Sequence, residues 1–158
     1  MTDSNYFHHL YALLHREKPF YGSGLEESLA RIPDAHLHEP VGHRTIAQLL
    51  EHMLIWRKDL ANRLLGEPRE NIDMSTGGDW PTPREKTKAA YLQEFAASTE
   101  RIREGIRRFD PAKIDELLHP DYDYTNVDLL EGSAHHDIYH LGQINLLAAL
   151  LKTKGLTN

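Results

Sequence analysis

Four stretches of this chain repeat apolar residues at the three-and-four spacing of an α-helix, and none of the segments between them has the two-residue alternation of a half-buried strand. Glycine and proline residues separate the four stretches. An amphipathic helix buries its apolar stripe against another element, and without a sheet that element must be another helix. We therefore predict an all-α fold, a four-helix bundle with long crossover loops and short accessory helices.

The first and last stretches frame the chain. The predicted first helix runs from about Asp3 to Glu17, and the predicted last helix runs from Val127 to Lys152 and stops before Gly155. Two short accessory helices are predicted between the long ones, one in LEESLARI and one in DPAKIDELL, where Asp110 is the N-cap. The predicted order of helices is therefore long, short, long, long, short, long.

The second long helix begins with a capping box. In this motif the Thr45 hydroxyl accepts a hydrogen bond from the Gln48 amide, and the Gln48 side chain returns one to Thr45. The helix is predicted to continue to about Leu65, with Gly66 ending it. Its predicted buried stripe consists of Ile46, Leu49, Leu50, Met53, Trp56, Leu60 and Leu64. The segment GEPRENIDMSTGGDWPTP, residues 66–83, follows as a long loop, which indicates either a functional lid or a loosely held excursion.

The third long helix is predicted to begin in the sequence TPRE. Thr82 is the predicted N-cap, Pro83 occupies the first turn, and Glu85 completes a second capping box. Its predicted buried stripe consists of Leu92, Phe95, Ala96, Thr99, Ile102 and Ile106.

Composition limits the possible partners. A length of 158 residues favours a single domain, residues 1–158, and 40% hydrophobic with 27% charged residues is typical of a globular protein. With 24 acidic and 18 basic residues, the net charge of -6 provides no broad cationic field for a nucleic-acid backbone. We expect a small-molecule substrate and no nucleic-acid partner.

The chain contains no cysteine, which excludes internal disulfides, thiolate ligands and a cysteine nucleophile of its own. Thiol chemistry would therefore need a thiol from outside. The N-terminal sequence MTDSNYFHHLYALLHRE lacks the pattern of a signal peptide, and no stretch has the roughly 18 apolar residues of a membrane span. We expect a cytoplasmic protein with no membrane partner.

Three histidines in SAHHDIYHLGQI lie beside one of the most apolar runs of the chain. At about 100° per residue, His136 and His140 project about 40° apart, on the same side as Ile144 and Leu147. His135 projects about 100° from His136 and should not share a ligand position with it. Two imidazoles one helical turn apart can bind a single cation, which predicts a metal site on the buried side of this helix.

Two imidazoles do not complete a coordination sphere, so a third ligand must come from another helix. His52, in LLEHMLIW on the second helix, is the candidate because it lies at the shoulder of the apolar stripe. The same pattern also fits structural histidines that bond to backbone or carboxylate groups, or that lie near a dimer contact. A buried polar group without a partner costs about 1 to 3 kcal/mol. A metal ion and well-placed carboxylates would each offset that cost, and the residues leave both open.

The sequences RTIAQLLEHMLIW and HHDIYHLGQI, with the closing helix after them, resemble the DinB-like family of four-helix-bundle metalloproteins. The resemblance covers nearly the whole chain. It implies that His52, His136 and His140 are the metal ligands. The implied cofactor is a divalent ion, nickel or zinc in the first place and iron or manganese as alternatives, together with a low-molecular-weight thiol in some members. It also implies a homodimer.

The resemblance implies a metal-dependent enzyme, either a thiol-dependent transferase or a hydrolase. An ion on three neutral imidazoles could activate an external thiol or water towards a small electrophilic substrate. No carboxylate has an HExxH-type arrangement, so the catalytic acid or base stays unknown, which favours the thiol version. One alternative is a non-catalytic metal- or ligand-binding bundle, and another is an interaction protein with structural histidines.

Three further residues are candidates for the pocket. Trp56 follows His52 by one turn and is expected in the core or at the pocket wall, whereas Trp80 in the long loop is the lid candidate. Gln143 is the glutamine of the HLGQ segment and is expected beside the ligands or in a structural role. Tyr139 is expected to pack within the protein.

Overall fold

The structure, a computed structural model, describes residues 3–15, 19, 22–83, 85–117 and 123–154. Within these ranges it consists of helices and loops, which confirms the predicted all-α fold. The α-helices are α1 (Asp3–His15), α2 (Leu25–Ala30), α3 (Asp34–Leu37), α4 (Ile46–Leu65), α5 (Lys88–Arg108) and α6 (Asn126–Lys154). Two single turns of 3-10 helix, Met74–Thr76 and Pro111–Lys113, lie in the loops.

The four long helices pack into a bundle in which α4 contacts α5 and α6, and α1 contacts the same two helices. The core has two parts. One lies around the first half of α4 and includes residues of α2 and α3, and the other lies where α1 closes the far end of the bundle. Tyr91 and Phe95 are fully buried in the first part and Tyr11 in the second. No described helix combines the length and the apolarity needed to cross a membrane.

Helix α4 begins and ends where its sequence predicts. Both hydrogen bonds of the capping box between Thr45 and Gln48 are present at 3.1 Å. Gly66 ends the helix with φ 70°, a left-handed conformation that glycine adopts without the steric cost of a Cβ. Of the predicted stripe, Trp56 and Leu64 are only half-buried, whereas the other members are buried.

The predicted start of the third long helix at Thr82 is wrong. Helix α5 begins at Lys88, and the Thr87 hydroxyl caps it by accepting from the Ala90 amide at 3.2 Å. The residues before this cap are held by neighbouring elements: the Lys86 ammonium lies 2.9 Å from a Glu51 carboxylate oxygen on α4. Tertiary contacts of this kind override a local capping signal.

The buried stripe of α5 also differs in part from the prediction. Phe95, Thr99, Ile102 and Ile106 are buried as expected, but Leu92 and Ala96 are only half-buried. Tyr91 is fully buried next to Leu92, and its hydroxyl donates to Glu51 at 3.2 Å.

The remaining helices agree closely with their predicted ranges. Helix α1 begins at Asp3 as predicted, and residues 16–17 lie outside the described part of the chain. Helix α6 extends the predicted range by one residue at its start and by two at its end. LEESLARI contains α2. The helix predicted in DPAKIDELL is reduced to the single 3-10 turn Pro111–Lys113, which the Asp110 carboxylate caps as predicted by accepting from the Ala112 amide at 3.0 Å. Helix α3, a single turn of four residues, was not predicted.

A buried ion pair joins three of the long helices. Arg57 of α4 donates to Asp137 of α6, to the Thr99 hydroxyl at 2.7 Å and to the Ser98 hydroxyl at 2.8 Å, both on α5. The side chains of Arg57 and Asp137 are only 3% and 4% exposed. Each charge therefore depends on its partner, because neither can be solvated by water.

Replacement of Arg57 by leucine should strongly destabilise the fold. Asp137 would stay buried after losing its cation, and breaking a buried pair in this way costs about 3 to 5 kcal/mol. Urea unfolding measures this loss. The double variant Arg57→Leu/Asp137→Leu should lose less than Arg57→Leu alone. Arg108→Leu, which breaks an exposed pair with Glu104, should change stability by less than about 1 kcal/mol. A similarly small change in Arg57→Leu would contradict this assignment.

Candidate metal centre

Three histidines from two helices converge inside the bundle. His52 lies in the middle of α4, and His136 and His140 lie one turn apart on α6. The Nε2 atom of His136 is 3.0 Å from that of His52 and 3.1 Å from that of His140. His52 and His140 are each only 4% exposed, whereas His136 is half-buried. The structure thus brings together the three histidines that the sequence singles out, and His135 lies outside the cluster on the exposed side of α6.

The opposite ring nitrogens of two of these histidines have defined partners. His52 Nδ1–H donates to the backbone carbonyl oxygen of Asp79 at 2.7 Å, and His140 Nδ1–H donates to Oε1 of Gln143 at 2.7 Å. A backbone carbonyl oxygen can only accept, so its bond places the ring proton of His52 on Nδ1, and the Gln143 side chain, oriented with Oε1 towards the ring, does the same at His140. The Nε2 atoms of both rings therefore carry lone pairs directed towards His136.

A cation resolves this arrangement. Nε2 of His136 can donate to one of the two facing lone pairs at most, so at least one acceptor nitrogen is left without a donor when the rings are neutral. Two nitrogens bound about 2.1 Å from one ion lie about 3.0 to 3.4 Å apart at angles from a right angle to the tetrahedral angle. The observed separations of 3.0 and 3.1 Å fit this range. The three histidines therefore suit a divalent ion.

Burial keeps these imidazoles neutral. It lowers the pKa of all three rings, and together with the neighbouring His140 it lowers that of His136 to about 4. A metal ligand must be deprotonated, so the site is ready to bind a cation at neutral pH. Among the described residues, the group whose ligand atoms lie close enough together to bind one ion consists of these three histidines. Open positions would therefore remain for a water molecule or a substrate.

The loop from 66 to 83 covers one side of the cluster. The indole of Trp80 stacks on the His52 ring, with centroids 4.0 Å apart and planes 12° from parallel. Gly77 has φ 69°, and a Cβ on Gly78 would lie 2.9 Å from the Asp73 carbonyl oxygen. Both glycines are therefore needed for the turn that delivers Asp79 and Trp80 to the site.

The loop is also held to α4 at its other end. The side-chain amide of Asn62 donates to the Pro68 carbonyl oxygen at 2.9 Å, and the backbone N–H of Glu70 donates to the buried Asp59 carboxylate at 3.2 Å. Attachment at both ends favours a lid over the alternative of a loosely held excursion.

A cavity of about 400 Å³ borders the triad on the His136 side. Trp56 lines it, with its ring centroid 6.5 Å from that of His136. Its other apolar walls include Leu60 and Leu129. The cavity gives a small molecule room next to the imidazoles.

Tyr139 does not pack within the protein as expected. It is 63% exposed, and its ring contacts that of His140 edge to face, at a centroid distance of 4.9 Å. The contribution of Asp79 was not predicted. It is a backbone carbonyl oxygen, and the loop brings it to His52 across a sequence separation of 27 residues. Only the adjoining glycines in GGDW signalled a special turn there.

Loss of the Gln143 side-chain carbonyl should weaken metal binding. Gln143→Leu removes the acceptor that holds Nδ1–H of His140, and loss of such a partner lowers metal affinity by about 10- to 100-fold. Competition with a chromogenic zinc chelator measures the affinity. Gln93→Leu, at an exposed position on α5, should bind zinc as tightly as the wild type. Equal zinc affinity in all three proteins would show that Gln143 does not support the ligand.

The metal-free protein should lose stability as the pH falls from about 6.5 towards 4. The folded state holds His136 with a lowered pKa of about 4, so in this range the unfolded chain binds more protons. The free energy of unfolding of chelator-treated protein, measured in urea at several pH values, should therefore decrease on acidification. His136→Gln should flatten the decrease, and the exposed His135→Gln should not. A pH dependence that both variants leave intact would exclude His136 as its source.

Comparison with known protein families gives one match. A family model described as the DinB superfamily matches residues 23–144, which is more than half of the chain and includes all three histidines. No curated protein and no solved structure matches the chain.

Proposed function

The chain belongs to the DinB superfamily, and we propose that it is a metal-dependent enzyme that transfers an external thiol to a small electrophilic substrate, or hydrolyses such a substrate. The observation that carries this proposal is the position of the triad. Nε2 of His136 lies 3.0 Å from that of His52 and 3.1 Å from that of His140, and the His136 ring lines a cavity of about 400 Å³. A purely structural cluster would not need a cavity beside it.

The residues of the site have separate tasks in this proposal. His52, His136 and His140 would hold the divalent ion, for which nickel or zinc suits imidazole ligands, with iron or manganese as alternatives. When bound, the ion supplies a positive charge that lowers the pKa of a thiol or a water molecule and polarises an electrophile. Asp79 and Gln143 keep the Nε2 lone pairs of His52 and His140 directed inward.

The cavity indicates the kind of substrate. Both of its arginines are already neutralised by carboxylates. Arg57 pairs with Asp137, and Nε of Arg63 lies 2.7 Å from Oδ2 of Asp59. The remaining wall is largely aromatic and aliphatic, with Trp56 facing His136 and one further carboxylate, Asp128, in the lining. Such a wall favours the apolar body of a small electrophile over a highly charged molecule.

A thiol is the favoured nucleophile. Hydrolysis needs a positioned base to accept a proton from water, and the carboxylate adjacent to His136 in sequence, Asp137, is engaged by Arg57. A thiol ionises much more readily than water and needs less assistance. Because the chain contains no cysteine, the thiol would have to be a separate low-molecular-weight molecule.

We also propose that the protein forms a homodimer. Helix α6 is apolar on its outer side as well as its inner side: Leu150, near its C-terminal end, is 45% exposed. A second copy of the chain could cover this surface, because apolar stripes on helices are stabilised by burial.

The proposed activity can be tested with model substrates. Zinc- or nickel-loaded protein should accelerate the reaction of a low-molecular-weight thiol, such as cysteine, with a chromogenic aryl halide. His136→Ala should lose about 100-fold or more of this activity, because several kcal/mol of charge stabilisation disappear with the ion. His135→Ala, one residue away but exposed, is the matched control and should stay active.

The same assay separates the alternatives. Metal-dependent hydrolysis of p-nitrophenyl acetate without any thiol would support the hydrolase version. Metal-loaded protein that catalyses neither reaction would contradict the enzyme proposal and favour a non-catalytic metal-binding bundle.

A further inference from the structure

A second recess, of about 360 Å³, borders the triad at His140 rather than at His136. Its lining combines a charged group, two aromatic rings and a carboxamide with leucine side chains. We call it the Arg44 recess, and its principal residues are Arg44, Trp80, Tyr139, His140, Gln143 and Leu146. It shares no lining residue with the larger cavity beside His136.

The two spaces differ in charge. The arginines of the larger cavity pair with Asp137 and Asp59, whereas Arg44 forms no ion pair with any residue that the structure describes. Arg44 is exposed, and its guanidinium lies 3.9 Å from the centroid of the Trp80 ring. Stacking of this kind fixes the plane of the guanidinium and leaves its N–H groups at the edge for an anion.

A second hydrogen-bond donor lies in the same recess. Oε1 of Gln143 accepts from His140, so the side-chain NH2 group of Gln143 remains for a ligand. The apolar part of the recess is exposed in the absence of a ligand: Tyr139 is 63% and Leu146 59% exposed. The two side chains line the same recess as Arg44 and Gln143, and an apolar surface rimmed by polar groups is typical of a ligand-binding groove.

We propose that the Arg44 recess binds a small carboxylate-bearing molecule, with its carboxylate on Arg44 and its apolar body against Tyr139 and Leu146. A planar guanidinium matches the two oxygens of a carboxylate. The proposal rests on the proposed function, in that the bound molecule would be one of the two reactants brought to the His140 side of the metal centre. The carboxylate can belong to the electrophile or to the thiol, and the recess recognises it in the same way.

Benzoate is a suitable probe, with benzamide as its neutral counterpart of similar shape. We expect tryptophan fluorescence of the zinc-loaded protein to report benzoate binding at least about tenfold tighter than benzamide binding. Arg44→Gln should weaken benzoate binding by about tenfold or more, since a hydrogen bond to a charged group is lost. Arg44→Lys, which keeps the charge without the planar fork, should fall between the two. Arg108→Gln, at an exposed arginine at the end of α5, should bind as the wild type does.

Measurement after chelation separates this proposal from the metal-dependent activity. A loss of benzoate affinity in Arg44→Gln that persists in chelated protein supports the recess even if no enzyme activity is found. Equal binding of benzoate and benzamide, or unchanged benzoate affinity in Arg44→Gln, would overturn the proposal. The proposal would also be overturned if the protein bound no benzoate, sedimented as a dimer, and showed cross-links between Tyr139 and a second copy.

After the substrate is known, its carboxylate supplies a second test. Loss of the carboxylate from the electrophile, or from the thiol, should raise KM for that reactant alone in the wild type. The same change should have little effect in Arg44→Gln. Equal effects in both proteins would place the carboxylate elsewhere.

Discussion

The site depends on a constraint of imidazole chemistry: Nε2 of His136 lies 3.0 and 3.1 Å from the Nε2 atoms of His52 and His140, and the latter two nitrogens are fixed as acceptors. Asp79 and Gln143 hold the ring protons of His52 and His140 on Nδ1, so the two Nε2 lone pairs face His136. No assignment of protons among neutral rings satisfies all three nitrogens. The hydrogen bonds around the cluster thus direct it towards a cation, and the lowered pKa values of the rings remove competition from protons at neutral pH.

The rest of the bundle positions these rings. His136 and Asp137 are neighbours on α6, and Asp137 is held by Arg57, which lies five residues beyond His52 on α4. One ion pair therefore links the helices next to the ligands and limits their relative sliding. The loop adds a separate contribution through Trp80, which stacks on His52 and also supports Arg44. The same indole thus joins the triad to the second recess.

Local signals in the sequence predicted much of the fold. The capping box at Thr45 and the glycine at position 66 set the ends of α4 because the interactions they describe lie within a few residues of each other. The four-residue separation of His136 and His140 predicted that their side chains project from the same side of the helix, for the same reason. The prediction at Thr82 was wrong because an equally good local signal at Thr87 is reinforced by contacts of the intervening residues with α4. The role of Asp79 and the exposure of Tyr139 depend on tertiary placement, which helical periodicity does not encode.

The metal content of purified, tag-free protein tests the central claim most directly. Plasma mass spectrometry should find about one divalent ion per chain in the wild type, and that ion should be lost in both His52→Ala and His136→Ala, because two imidazoles bind it far more weakly than three. His135→Ala should retain it. A wild-type protein that is purified without metal and takes up neither nickel nor zinc on titration would contradict the account and leave the three histidines with a structural role.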